Sequence, residues 1–239
     1  MICKNCNRTV KESSIYCNYC GTKQKPSRID IFESNMNSTG VNFNSGFLNL
    51  GSFVETPSWK YYVQEAIKLI RENEPFEAIE YYSKAISLNP DDTQLYHDRG
   101  KTYYEIGKLK ESVKDYDKSL SLDKNNFNAR INRGISRCQL GLFEESIEDF
   151  SYVLSIQPDS STCYTNRAIA YFELEKLALA KADILKALEF ESKDPINLYL
   201  AGEIYYRLGE KYVAVSFFEK SAERGFSRAA NRLNKIKGL

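Results

Sequence analysis

One interval, 34 residues, organises this chain. Ala66, Gly100, Gly134, Ala168 and Gly202 fall 34 apart, and so do Ala78, Ser112, Ser146, Ala180 and Ala214. Large side chains keep the same step at Tyr82, Tyr116, Phe150, Ile184 and Phe218, with Ile86, Leu120, Leu154 and Leu188 four residues behind. No insertion interrupts the count from Trp59 to about Gly225. A small residue recurring at one place on a helix lets two backbones approach, while a bulky one fills the space beside it. A fixed period of roughly 20–50 residues marks a solenoid, whose units bury their apolar faces against their neighbours. The spacing therefore predicts an all-α array over 58–225, in five helical hairpins at 59–92, 93–126, 127–160, 161–194 and 195–225.

Local signals agree with that register. Ser58, Thr93, Ser161 and Asp194 stand where a first helix needs an N-cap acceptor, with Pro195 in the first turn. Gly107, Gly141 and Gly209 are placed to end first helices in a left-handed conformation, and Asn73 and Glu175 take that place in two other units. The third unit carries Arg130 and Arg137 where the others have Tyr or Leu. Arg99, Arg133 and Arg167 recur at position seven, and Asp115, Asp149 and Asp183 at position twenty-three, while the first and last units lack both. Joint presence and joint absence predict that each arginine bridges to an aspartate across its hairpin or to the adjoining one, the other reading being a solvated face. Beyond Gly225, apolar residues at 226, 229, 230, 233 and 236 predict a capping helix over 226–239.

The unit resembles the tetratricopeptide repeat (TPR). The resemblance rests on small residues at the eighth and twentieth places, an aromatic at the twenty-fourth, the closing Pro90 and Pro158, and Trp59 at the first position. It implies a superhelical solenoid of about five helix-turn-helix repeats, whose first helices line a concave groove that receives an extended peptide or a partner helix. Carried onto this chain, that groove would be lined by His97, Asp98, Tyr104, Asn132, Asn166, Phe172 and Tyr206. Asparagine amides both donate to and accept from a peptide backbone, and aromatic faces give contact area at modest entropy cost. Ordinary packing between helices is the other reading of these positions. The clamp with which some family members hold acidic chaperone C-termini is not reproduced: Val63, Ile67, Asp98, Asn128 and Asn132 stand in its places.

Ahead of the repeats, Cys3-x-x-Cys6 and Cys17-x-x-Cys20 are separated by ten residues. Two residues between thiolates let both sulfurs converge on one ion, and two such knuckles supply the tetrahedral four-sulfur set that zinc prefers. A reduced compartment disfavours the alternative of two disulfides. The segment resembles a short zinc ribbon, expected over 1–24 and tied to the repeats by an Asn-, Ser- and Gly-rich flexible linker over 25–57. With all four coordination places filled by sulfur, the zinc would be structural. Residues 1–28 hold six Lys/Arg against one Glu, or +5, which leaves −4 for the rest of the +1 chain.

No run of about 18 apolar residues appears and the first residues lack the apolar core of a secretory signal, so the expected location is the cytoplasm, with no membrane contact. His97 is the only histidine, and no phosphate-cradling glycine loop or nucleophile elbow accompanies it. Cys138 and Cys163 read as small packing residues. These features exclude most catalytic constellations and predict a non-enzymatic protein-interaction scaffold or adaptor. The alternative is a nucleic-acid-associated adaptor whose basic ribbon contacts DNA or RNA while the repeats recruit proteins.

Overall fold

The computed structural model describes residues 57–237, so the four ribbon cysteines and the linker up to residue 56 lie outside the described residues. Among the described residues there are eleven α-helices and no strand. They are α1 (Trp59–Arg71), α2 (Pro75–Leu88), α3 (Thr93–Glu105), α4 (Leu109–Leu122), α5 (Phe127–Gln139), α6 (Phe143–Ile156), α7 (Ser161–Glu173), α8 (Leu177–Phe190), α9 (Pro195–Arg207), α10 (Lys211–Glu223) and α11 (Ser227–Lys237). From α1 to α10 each helix begins 34 residues before its counterpart in the next hairpin. The chain divides into two compact units that meet in sequence at Ile106 and Gly107.

In the first unit α1 and α2 form a hairpin and α3 packs on α2. Ala66 and Ala78 are fully buried where α1 crosses α2, with Tyr81 and Tyr82 completing the cluster. The turn places Asn73 at φ +61°, with its N–H donating to the Ile70 carbonyl and that of Glu74 to the Leu69 carbonyl. Those two bonds define a Schellman turn, which closes the orphan carbonyls at a helix end.

In the second unit each helix from α4 to α11 packs on the next along most of the array, and α5 and α9 each also touch α7. Turns after α5, α7 and α9 repeat the bond pattern seen after α1, centred on Gly141, Glu175 and Gly209 with φ +79°, +55° and +83°. Glu175 thus adopts the glycine conformation despite its Cβ, because the two carbonyls it closes would otherwise stay orphaned.

Close packing explains the alternation of small and large residues. A Cβ added to Gly134 would lie 2.8 Å from Cε1 of Phe150, and one added to Gly202 would lie 2.5 Å from Cε1 of Phe218. Where the large residue shrinks to Ile184, the small one grows to Ala168, and both are fully buried. At the end of the array α11 sets Leu233 into a cluster with Tyr205, Ala214 and Phe218, with Ile236 packed against it.

The helix starts differ from the sequence expectation at three places. Asp92 caps α3 by accepting from the Gln94 N–H, and Ser160 caps α7 by accepting from the Cys163 N–H, so Thr93 and Ser161 are first helical residues rather than caps. Asn126 caps α5 in the same way, Asp194 caps α9 as expected, and Ser58 makes no side-chain cap bond. At Asp92–Thr93 and Ser160–Ser161 the boundary residue, not the hydroxyl that follows it, is the one whose oxygen reaches the free N–H groups of the first turn.

Candidate interaction site on the first helices

In the first unit the expected groove residues His97 and Asp98 form one polar cluster on α3. Nδ1 of His97 lies 3.0 Å from Oδ1 of Asp98, and Nε2 of Gln94 donates to that oxygen at 2.7 Å. Tyr104 follows two turns later and is half-buried. Behind this face Tyr82 is buried in the hairpin. Burial pushes its phenol well up, and the charges of Asp98 and Glu105 add to the effect.

In the second unit α5, α7 and α9 lie side by side. Asn132, Asn166, Phe172 and Tyr206, one or two from each helix, are all half-buried, neither withdrawn into the core nor fully in solvent. The Nδ2 of Asn166 donates back to the Thr162 carbonyl at 2.8 Å, which leaves Oδ1 to accept from a ligand. Between α7 and α9, the Thr165 hydroxyl donates to Oδ1 of buried Asn197 at 2.7 Å and fixes the two helices against each other. Two of the aromatics carry cations the sequence did not foretell. The Arg207 guanidinium, paired with Glu175, lies 5.6 Å from the Phe172 ring centre, and that of Arg232 lies 4.5 Å from Tyr206. Arg207 is 35 residues from Phe172, and Arg232 comes from α11 beyond the periodic stretch, so the repeat pattern gave no cue to either.

In the second unit the arginine–aspartate ladder ties the two helices of two hairpins together. Arg167 grips Asp183 with Nε and Nη2 at 2.7 and 2.8 Å, and Arg133 grips Asp149 through the same two nitrogens. Each arginine also reaches back to the preceding hairpin: Nη1 of Arg133 donates to Asp117, and Nη1 of Arg167 to Ser151. In the first unit Nη1 of Arg99 makes the matching bond to Ser83 at 2.9 Å. The two departures of the third repeat belong to this network. Nη1 of Arg137 donates to Oδ2 of Asp149 at 2.8 Å, and Arg130 stands 3.7 Å from Oδ1 while stacking 3.8 Å over Tyr152. Burial disfavours the charged form of Arg133, but the bonds and charges of Asp149 and Asp117 outweigh it and hold the guanidinium above its usual pKa. For Arg167 the bond to Asp183 leads and burial opposes, with the same outcome.

A family profile of the TPR repeat matches residues 76–107 and 100–141, and one of the tetratricopeptide repeat matches 161–194 and 197–224. The chain carries tetratricopeptide repeats. Solved structures share the fold. MamA residues 41 to the end from Desulfovibrio magneticus RS-1 superpose at TM-score 0.67 and 21% identity, over 71% of this chain and 96% of that one. Pseudomonas aeruginosa pilF superposes at TM-score 0.64 and 19% identity, over 75% and 84%. YrrB, described as a TPR protein with an unusual peptide-binding site, does so at TM-score 0.62 and 18% identity, over 73% and 90%. No curated protein matches this chain. No helix among the described residues is long and apolar enough to cross a membrane, and none of their His, Cys, Asp and Glu side chains form a group of three or more that could hold a metal ion.

Proposed function

We propose that this chain is a non-enzymatic protein-interaction scaffold, cytoplasmic in location, whose tetratricopeptide repeats take an extended peptide or partner helix on the face of their first helices. The observation that carries this reading is the half-buried set Asn132, Asn166, Phe172 and Tyr206 on the adjoining helices α5, α7 and α9. Amide and aromatic groups held on rigid helices offer backbone hydrogen bonds and flat contact area without first having to order themselves. The peptide-binding site named for YrrB, a structure with the same fold, points the same way. In the first unit His97, Asp98 and Tyr104 offer groups of the same kind on α3.

Affinity capture with the full chain, followed by Phe172→Ala and Asn166→Ala in a protein of unchanged helicity, tests this reading. Partners retained by the parent and released by the variants support it; partners held equally by both refute it.

The second contact module we propose is the ribbon, folded around one structural zinc ion by Cys3, Cys6, Cys17 and Cys20. Spacing supports this, as does the small apolar content of residues 1–24, too little to offset chain entropy without a metal. One zinc per chain by elemental analysis, with the charge-transfer bands of cobalt bound to four thiolates after exchange, is the expected result. A metal-free preparation whose four cysteines alkylate freely would refute it.

A further inference from the structure

A cleft of about 400 Å³ opens between α9 and α11, lined by Tyr199, Glu203, Arg228, Asn231, Arg232 and Lys235. Arg228, Arg232 and Lys235 recur at i, i+4 and i+7, which sets all three on one face of α11. Only Arg232 is engaged: its Nε and Nη2 donate to the Glu203 carboxylate at 2.8 and 3.2 Å. Arg228 and Lys235 are exposed and form no ion pair or hydrogen bond among the described residues. The cleft wall therefore carries three cations against one neutralised carboxylate, an excess of two positive charges beside the ring of Tyr199.

We propose that this cleft receives an acidic peptide segment, with its carboxylates on Arg228 and Lys235 and an apolar side chain against Tyr199. The inference rests on the reading of the repeats as a peptide-binding face and names where the charge-bearing part of the peptide lies. Charge complementarity selects an anion. The carboxylate of Glu203 in the wall and the ring of Tyr199 favour a peptide over a phosphate backbone, which would bring charge at every step to a cleft with two cations unpaired among the described residues. Arg232, tied to Glu203 and stacked on Tyr206, holds the two walls at fixed separation.

The probe is the acetylated, amidated pentapeptide Glu-Glu-Leu-Glu-Glu, titrated into the isotope-labelled full chain and followed by amide chemical shifts. The expected result is saturable shifts centred on α9 and α11. They weaken as salt rises, vanish for the Gln-Gln-Leu-Gln-Gln peptide, and weaken about tenfold or more in Arg228→Glu/Lys235→Glu. Because both side chains are exposed and unpaired, that variant keeps its melting temperature. Equal affinity for parent and variant, equal affinity for the two peptides, or tighter binding of an oligonucleotide of matched charge overturns the proposal. The cleft and the broader reading fail separately. A captured partner released by Phe172→Ala but held by the α11 variant sinks the cleft alone; a pentapeptide that binds here while no partner depends on Phe172 leaves the cleft and removes the groove.

Discussion

Arg133 and Asp149 meet as a fork, with Nε donating to Oδ2 at 3.0 Å and Nη2 to Oδ1. With Arg137 on the same Oδ2 and Arg130 beside Oδ1, one carboxylate of 2% exposure answers three guanidinium groups. Removing it strands half-buried cations, whose uncompensated desolvation outweighs the modest net worth of the pairs themselves. Asp149→Ala should cost roughly 3–5 kcal/mol in urea denaturation. Asp183→Ala, which strands Arg167 alone, should cost less. Equal losses would show that Arg130 and Arg137 contribute nothing at Asp149.

Two glycines should fail for different reasons. Gly202→Ala drives a methyl group into the Phe218 ring and should cost roughly 1–3 kcal/mol as overpacking. Phe218→Leu in the same chain should recover part of that loss, because the obstacle is the ring edge. A Cβ at Gly141 meets nothing within 4 Å, yet the residue holds φ +79°. Gly141→Ala should therefore cost about 1 kcal/mol from the backbone alone, and Gly141→Asn less, as Asn73 already holds that conformation in the first hairpin. Thermal melts of the four variants separate the two mechanisms.

Deleting residues 226–239 removes Leu233 and Ile236 from the cluster of Tyr205, Ala214 and Phe218. The expected outcome is a lower melting temperature and dye binding by the newly exposed apolar surface. An unchanged melt would show that the last hairpin is self-sufficient.

Alkaline pH should weaken the fold through its two repeat cysteines. Burial pushes the Cys138 thiol up, aided by the charge of Glu173, and burial likewise pushes Cys163 up against the pull of Ser160 and Arg167. A thiol favoured in the folded chain contributes its full stabilisation below the unfolded pKa of about 8.5 and loses it as pH climbs toward the folded value. The urea midpoint should fall as pH rises through about 8.5, and fall less in Cys138→Ala/Cys163→Ala. The same burial predicts slow alkylation of both thiols in native protein near neutral pH.

Much of this was legible in the sequence because it repeats. A step of 34 residues fixes which small residue meets which ring, and Gly134 and Phe150 can be paired from the spacing alone. The arginine–aspartate link can be read the same way, from residues that appear and vanish together. Helix starts are less legible at Asp92 and Ser160, where two capping residues stand side by side and only backbone geometry chooses between them. Arg130 and Arg137 read as local departures, since nothing in their spacing shows that both turn toward Asp149. The α9–α11 cleft is hidden altogether: Glu203 and Arg232 lie 29 residues apart, and Arg232, on α11, falls outside the period that organises the other helices.

The backward reach of each arginine has a practical meaning for anyone who would cut or multiply these hairpins. Arg133 takes Asp149 from its own hairpin and Asp117 from the one before, and Arg167 does the same with Asp183 and Ser151. A module excised at the apparent boundary, between one second helix and the next first helix, would leave the guanidinium on one fragment and its acceptor on the other. Grafting a hairpin onto a foreign array thus demands an oxygen-bearing side chain two places past the aspartate in the host's last repeat, and a library that shuffles these modules freely would scramble that handshake at every junction.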